Sequence, residues 1–412
     1  LLGVEYPWDK YSQIVVRDYV SGAMENTSAV IHGDFLYQTD RELLDGTNES
    51  IIAHELFHHW FGDLVTCESW ANLPLNESFA NYSQFLWDEY KHGDDEADYQ
   101  AEKEAAGYFG QAQQSGYVDM IRFGYDNKED MFDAHSYNKG GRILHMLRNI
   151  VGDTAFFQSL EFYLNENAYQ PVEIHNLRLA FEEVTGRDLN WFFNQWFLDK
   201  GHPVLNIEQV RDTINNQIIV NIAQEQDFEK VPLYKLPFAV EIYFTNGKKR
   251  REEVIMETPT LKLTYENIDD IACIVVDADR VLLAKRTEDK PLDQYLYQYS
   301  HAPHYKDRKE AILEAGKSSK DEAVTVIMAA LNDPFYALRN KAMDNIDFAI
   351  EKERSKVLSR LYTIAEKDEK SASRAKAITT LLEYEEDEDK LLDLLQSALK
   401  DSSFLVICEA LN

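Results

Sequence analysis

The chain has 412 residues, a formal net charge of −31 and 44% hydrophobic residues. So acidic a balance excludes nucleic-acid binding, which needs clustered cationic side chains. No run of eighteen apolar residues occurs, so no transmembrane helix is expected, and the length allows several domains with ample core.

Early in the chain stands Gly22-Ala23-Met24-Glu25-Asn26, which by itself reads as an ordinary turn. The apolar pattern from Ile51 to Val65 predicts an amphipathic helix. It carries His54-Glu55-Leu56-Phe57-His58. Residues four apart on a helix differ by about 40° of rotation, so the two imidazoles leave from one face and can bind one Zn²⁺. A motif this short also arises by chance, and a catalytic zinc needs a third protein ligand and an open position. Glu77, separated from His58 by eighteen intervening residues, can supply that ligand from a second helix, predicted over Glu77 to Tyr90 with an acidic first turn. Glu55, between the histidines, is a candidate general base.

Downstream, Asp94-Asp95-Glu96 reads as a solvated face or loop. Ser136-Tyr137-Asn138-Lys139-Gly140-Gly141 opens a helix predicted over Lys139 to Val151, and a further one is expected over Ile174 to Val184. Tyr137 taken alone is an ordinary core tyrosine. An aromatic stretch, Asp188 to Leu198, precedes the breaker Gly201-His202-Pro203. From there the pattern alternates as strands: Val204 to Val210, Ile218 to Ile222, Phe238 to Phe244, Val254 to Met256, Leu261 to Tyr265 and Ile271 to Val276. Asn246-Gly247 is a hairpin signal, which makes the basic run Lys248-Lys249-Arg250-Arg251 an exposed hairpin and not a binding patch. Thr287 to Pro291 reads as a polar linker.

Helical periodicity returns near residue 292. Asp333-x5-Arg339-x-Lys341-Ala342 recurs as Asp368-x5-Arg374-x-Lys376-Ala377, with a degenerate copy over Asp401 to Ala410. Such offsets predict paired-helix repeats of HEAT or armadillo type, against a non-repetitive bundle. Cys67, Cys273 and Cys408 are far apart and form neither a zinc pair nor a disulfide framework.

Taken together, Gly22 to Asn26, the His54–His58 motif with Glu77, and Tyr137-Asn138-Lys139-Gly140 resemble the gluzincin aminopeptidases of the aminopeptidase N type, the alanyl and leucyl aminopeptidases. The likeness covers about the first 200 residues by motif and the rest by architecture. It implies an α+β multidomain chain: a thermolysin-like, mainly helical catalytic domain (1–200), a small β-sandwich (201–286) and a C-terminal helical-repeat domain (287–412) closing over the site. It implies one Zn²⁺ held by His54, His58 and Glu77. Substrates would be peptides with a free N-terminus. Gly22, Ala23, Met24, Glu25 and Asn26 would bind them, with Glu25 holding the α-ammonium by a charge-assisted hydrogen bond. Glu55 would be the base, and Tyr137 would donate to the oxyanion. Val4 to Tyr11 resembles the segment just before the amine-binding motif, so the sequence is expected to lack a β-rich N-terminal domain and a second amine anchor. The alternatives are a catalytically dead scaffold, a thermolysin-type endopeptidase and an epoxide-hydrolase branch. The intact zinc and tyrosine residues oppose the first, Glu25 the second, and Ala23 the third.

Overall fold

A computed structural model describes residues 1–412, a mixture of helices and sheets in two compact units. One unit comprises residues 1–36 and 49–289, the other residues 37–48 and 290–412.

The first unit begins with a three-stranded sheet. Strands β1 (Ser12–Val16) and β3 (Ala29–Gly33) are parallel, and β2 (Ala23–Met24) pairs antiparallel with β3, leaving β2 at an edge. Helix α1 (Glu49–Phe57) follows, shorter than the apolar pattern predicts. The chain cannot run on as a helix through Gly62, whose φ of +145° lies outside the helical region and where a Cβ would meet the His58 carbonyl at 3.2 Å. A short parallel pair, β4 (Thr66–Cys67) with β5 (Pro171–Val172), flanks helices α2 (Pro74–His92), α3 (Asp94–Ser115), α4 (Gly140–Val151) and α5 (Asp153–Glu166). Pro74 opens α2 at its first turn, where the missing N–H costs no hydrogen bond. The acidic triplet Asp94-Asp95-Glu96 forms the first turn of α3, where negative charge suits the helix dipole. Helices α6 (Ile174–Thr185) and α7 (Asn190–Trp196) complete this region, with Phe192, Phe193 and Trp196 buried.

The strands β6 (Val204–Asp212), β7 (Gln217–Gln224), β8 (Leu236–Phe244), β9 (Lys249–Met256), β10 (Thr260–Glu266), β11 (Ile271–Val276) and β12 (Lys285–Asp289) make two sheets, ordered β10-β7-β6-β12 and β11-β8-β9. The Asn246-Gly247 turn joins β8 to β9, and the basic run forms the exposed start of β9. One expectation needs correcting. The stretch Thr287 to Pro291 is not a bare linker, because Thr287 to Asp289 belong to the strand Lys285–Asp289, which pairs parallel with β6. Backbone hydrogen bonding at a sheet edge does not require apolar side chains, so periodicity gives no warning of it.

The second unit holds α8 (Leu292–His301), α9 (Tyr305–Gly316), α10 (Asp321–Ala330), α11 (Tyr336–Met343), α12 (Asp347–Lys367), α13 (Ser371–Tyr384), α14 (Glu388–Ala398) and α15 (Phe404–Leu411). One contact recurs along it. Arg308 pairs with Asp333 at 2.7 Å, Arg339 with Asp368 at 2.6 Å and Arg374 with Asp401 at 2.8 Å. Arg339 and Arg374 also donate back to the carbonyls of Asp333 and Asp368. Residues 37–48 belong to the same unit through Asp45, whose carboxylate accepts from Ser403 Oγ and from the amides of Phe404 and Leu405 at the start of α15. Arg41 donates to the carbonyls of Asp401 and Ser402 and lies 4.1 Å over the Phe404 ring. No helix is long and apolar enough to cross a membrane.

Candidate metal centre and substrate cleft

His54 leaves the last turn of α1, and His58 stands one residue past it, still held by an amide hydrogen bond to the His54 carbonyl. Glu77 lies in the first turn of α2 and is buried. His54 Nε2 and His58 Nε2 are 3.2 Å apart, and Glu77 Oε2 is 3.4 Å from the first and 3.3 Å from the second. Ligands about 2.0–2.1 Å from a tetrahedral ion must stand roughly 3.3–3.4 Å from one another, so these three atoms fit the coordination sphere of one zinc. The second ring nitrogen of His58 lies 3.0 Å from the Phe61 carbonyl. A proton on that nitrogen leaves the Nε2 lone pair free for a metal.

The electrostatics of the group also call for a cation. Burial works against a charged His58, yet the Glu77 carboxylate overrides it and lifts the imidazole to about 10. Burial likewise raises Glu77, and the charge of His58 with hydrogen bonds from both histidines more than reverses it, holding the carboxyl well below its usual range. Without an ion, a proton supplies the positive charge that the carboxylate needs.

Glu55 is buried beside this group. Burial first, then the charges of Glu25 and Glu77 against that of His58, push its carboxyl up to about 8. Its Oε2 has no protein hydrogen-bond partner. Carboxylate oxygens of Glu25 and Glu55 and a nitrogen of His58 lie within 4.8 Å of one another. Tyr137 sits in a π-helical turn, His135–Lys139, that runs into α4. Burial and then the Glu77 carboxylate, which its hydroxyl faces, raise the phenol above its ordinary value.

The structure brings all of His54, Glu55, His58, Glu77 and Tyr137 to one cleft of about 700 Å³, together with Ala23, Met24 and Glu25. Gly22 and Asn26 do not line it. Gly22 accepts a hydrogen bond from Gly33 and Asn26 accepts one from Ala29, closing the β2–β3 hairpin behind Glu25. The outer edge of β2 has no partner in its sheet, so an extended chain can pair there.

Sequence reasoning missed several neighbours. The buried His59 receives the Ser28 amide on Nε2 at 3.1 Å and sets its other nitrogen 3.2 Å from the Glu55 carbonyl, tying the hairpin to α1. Asp63, Trp70, Tyr125, Lys128 and Phe132 line the cleft. No local spacing marks them, because they reach it from separate loops.

Residues 1–196 match the model of the peptidase family M1 domain. Aminopeptidase M1-A of Oryza sativa subsp. japonica is 32% identical over 221 residues, 50% of this chain and 24% of its own length. Aminopeptidase N of Lactococcus lactis subsp. cremoris is 34% identical over 227 residues, 51% of this chain and 26% of its own. The chain thus matches about a quarter of each of these relatives. The crystal structure of Legionella pneumophila aminopeptidase A in complex with aspartic acid superposes on 100% of this chain and 54% of its own, with a TM-score of 0.81 at 16% identity, a likeness of fold.

Proposed function

We propose that the protein is a zinc aminopeptidase, a peptide hydrolase that removes the first residue of peptides with a free N-terminus. The observation that carries this reading is the triangle of His54, His58 and Glu77 atoms at tetrahedral ligand spacing, with Glu55 and Glu25 beside it in an M1 domain. One zinc per chain, bound there, would polarise the scissile carbonyl and make water acidic near neutral pH. The remaining work belongs to side chains. Glu55, buried beside the triangle, takes the proton of the attacking water and returns it to the leaving amine. Tyr137, whose phenol keeps its proton, donates to the developing oxyanion. Glu25 pairs with the substrate ammonium and sets the register to one residue, while the β2 edge, held by the hairpin that Gly22 and Asn26 close, guides the backbone.

In the same reading residues 1–200 form a thermolysin-like catalytic domain, 201–286 a β-sandwich and 287–412 a domain of HEAT- or armadillo-like repeats. The recurrent Arg308–Asp333, Arg339–Asp368 and Arg374–Asp401 pairs support the repeats, since each arginine reaches the next aspartate along the chain.

The test compares free and N-acetylated peptides of one sequence. Acetylation removes the charge that Glu25 pairs with and leaves a carboxylate desolvated without a partner, so the free peptide alone should be cut, one residue at a time. Efficient internal cleavage of the acetylated peptide would replace this reading with an endopeptidase.

A further inference from the structure

The cleft is acidic. Glu25, Glu55, Asp63, Glu68 and Glu77 line it against a single ammonium, that of Lys128. Lys128 opens the turn Lys128–Met131, just ahead of Phe132 and the π turn that bears Tyr137. The turn is pinned at its entry: Asn127 accepts from the Glu129 amide and donates its own amide to the Asp130 carboxylate. Lys128 Nζ stands 5.2 Å from the centre of the Trp70 ring, and Trp70 packs on Phe132 with centroids 5.8 Å apart. Trp70 and Phe132 are 40% and 38% exposed, so two aromatic faces stand open on the cleft wall beside its one lysine. The carboxylate nearest the ammonium belongs to Glu129, at 3.4 Å, with the two side chains 52% and 64% exposed. So exposed a pair is weak and is exchanged readily for a better partner.

The one lysine ammonium among these carboxylates, seated over an aromatic wall, offers an anionic group a favourable place in the cleft. We propose that Lys128 is a specificity-determining residue that receives a substrate carboxylate. The inference rests on the aminopeptidase reading, which brings peptides into this cleft. Two parts of a peptide carry the required chemistry. One is the side chain of an aspartyl or glutamyl first residue. The other is a carboxylate in the leaving part, such as the C-terminus of a dipeptide. Binding either replaces the exposed Glu129 contact by one that the peptide and the aromatic wall shield from water. Charge-assisted hydrogen bonds gain strength in such surroundings.

The experiment measures kcat/KM for wild type, Lys128→Gln and Lys128→Arg on two matched pairs of probes. One pair is the alanyl and glutamyl anilides, the other the dipeptide Ala-Ala and its C-terminal amide. Within one pair, Lys128→Gln should lower the ratio of anionic to neutral substrate about tenfold, as expected for loss of one hydrogen bond to a charged group. Lys128→Arg should restore most of it, and added salt should shrink the wild-type ratio. The responding pair identifies the source of the carboxylate. Ratios that stay the same in both pairs overturn the proposal. If wild type cleaves none of the four probes, the aminopeptidase reading fails by itself. Calorimetric binding of glutamate and Ala-Ala, against their amides, to the zinc-loaded proteins then decides the role of Lys128. Equal discrimination by wild type and Lys128→Gln overturns it.

Discussion

The ring of Tyr137 lies parallel to the imidazole of His54, with 5° between their planes and 6.0 Å between their centroids. The π turn produces this alignment, since its extra residue re-aims the side chains it carries relative to an α-helical start at the same place. Removing only the hydroxyl separates packing from chemistry. Tyr137→Phe keeps the aromatic face and should keep bound zinc and KM, while kcat falls by about 10²–10³, the usual worth of one oxyanion donor. Steady-state kinetics with zinc analysis check this, and a fall of less than about fivefold excludes the oxyanion role.

The division between ligand and base gives a second expectation. His54→Ala removes one corner of the triangle and should lose zinc and activity together. Glu55→Gln leaves the triangle intact, so zinc content should hold while kcat drops by about 10²–10⁴. Atomic spectroscopy beside reporter hydrolysis distinguishes the two, and zinc loss in Glu55→Gln would refute the assignment.

How much of this the residues announce depends on distance along the chain. His54, His58 and Glu77 are legible because helical geometry converts spacing into a shared face, and the Asn246-Gly247 turn because its chemistry is local. The repeated Asp-x5-Arg spacing is legible too, but not its use: Arg339 serves Asp368 of the following copy, not its own Asp333 carboxylate. Asp45 with Ser403 leaves no trace in periodicity, because the partners are 358 residues apart. The same holds for Lys128 above Trp70 and for His59 under Ser28, contacts that depend on how separate loops close. The π turn is hidden for another reason, since its residues are also acceptable to an α-helix.

Gly140 and Gly141 bring α4 against α2, which bears Glu77. A Cβ on Gly140 would lie 1.8 Å from Ser78 Oγ and 2.4 Å from Ser78 Cβ. The hydroxyl could rotate, but only by giving up its 2.7 Å hydrogen bond to the Ser136 carbonyl, and the Cβ cannot move without the helix. Gly140→Ala should therefore cost about 1–3 kcal/mol, as overpacking does, read as a lower urea midpoint. Adding Ser78→Gly opens the space and should recover part of the loss. If Gly140→Ala is as stable as wild type, the helices are not in contact as described.

In the C-terminal unit, Arg374 donates two hydrogen bonds to Asp401, at 3.0 and 2.8 Å, with both side chains mostly buried. Bidentate geometry and partial burial set it apart from an exposed pair. A double-mutant cycle of Arg374→Ala and Asp401→Ala should give a coupling energy of about 1–3 kcal/mol in denaturant unfolding. A value near zero would reduce the recurrent pairs to incidental surface contacts.

Asp45 makes the last expectation, one of pH. Burial raises its carboxyl, but hydrogen bonds from Ser403, Ser371 and the Leu405 and Phe404 amides outweigh that and hold it below the ordinary aspartate value. Those donors include the first free amides of α15, so Asp45 completes the cap that Ser403 begins at the same helix end. A carboxyl whose folded value is lowered stabilises the fold at every pH above its unfolded value. It loses that contribution as pH falls through the folded value. At pH 7 Asp45→Ala should thus be less stable than wild type by about 0.5–2 kcal/mol, the scale of a lost cap. The gap between the two should close on acidification below pH ~4, because protonation removes the acceptor from wild type as the substitution does. Denaturant melts of both proteins at stepped pH values follow the gap directly. A gap that persists unchanged into acid would mean that the segment 37–48 is held by Arg41 and its aromatic contact and not by the Asp45 carboxylate.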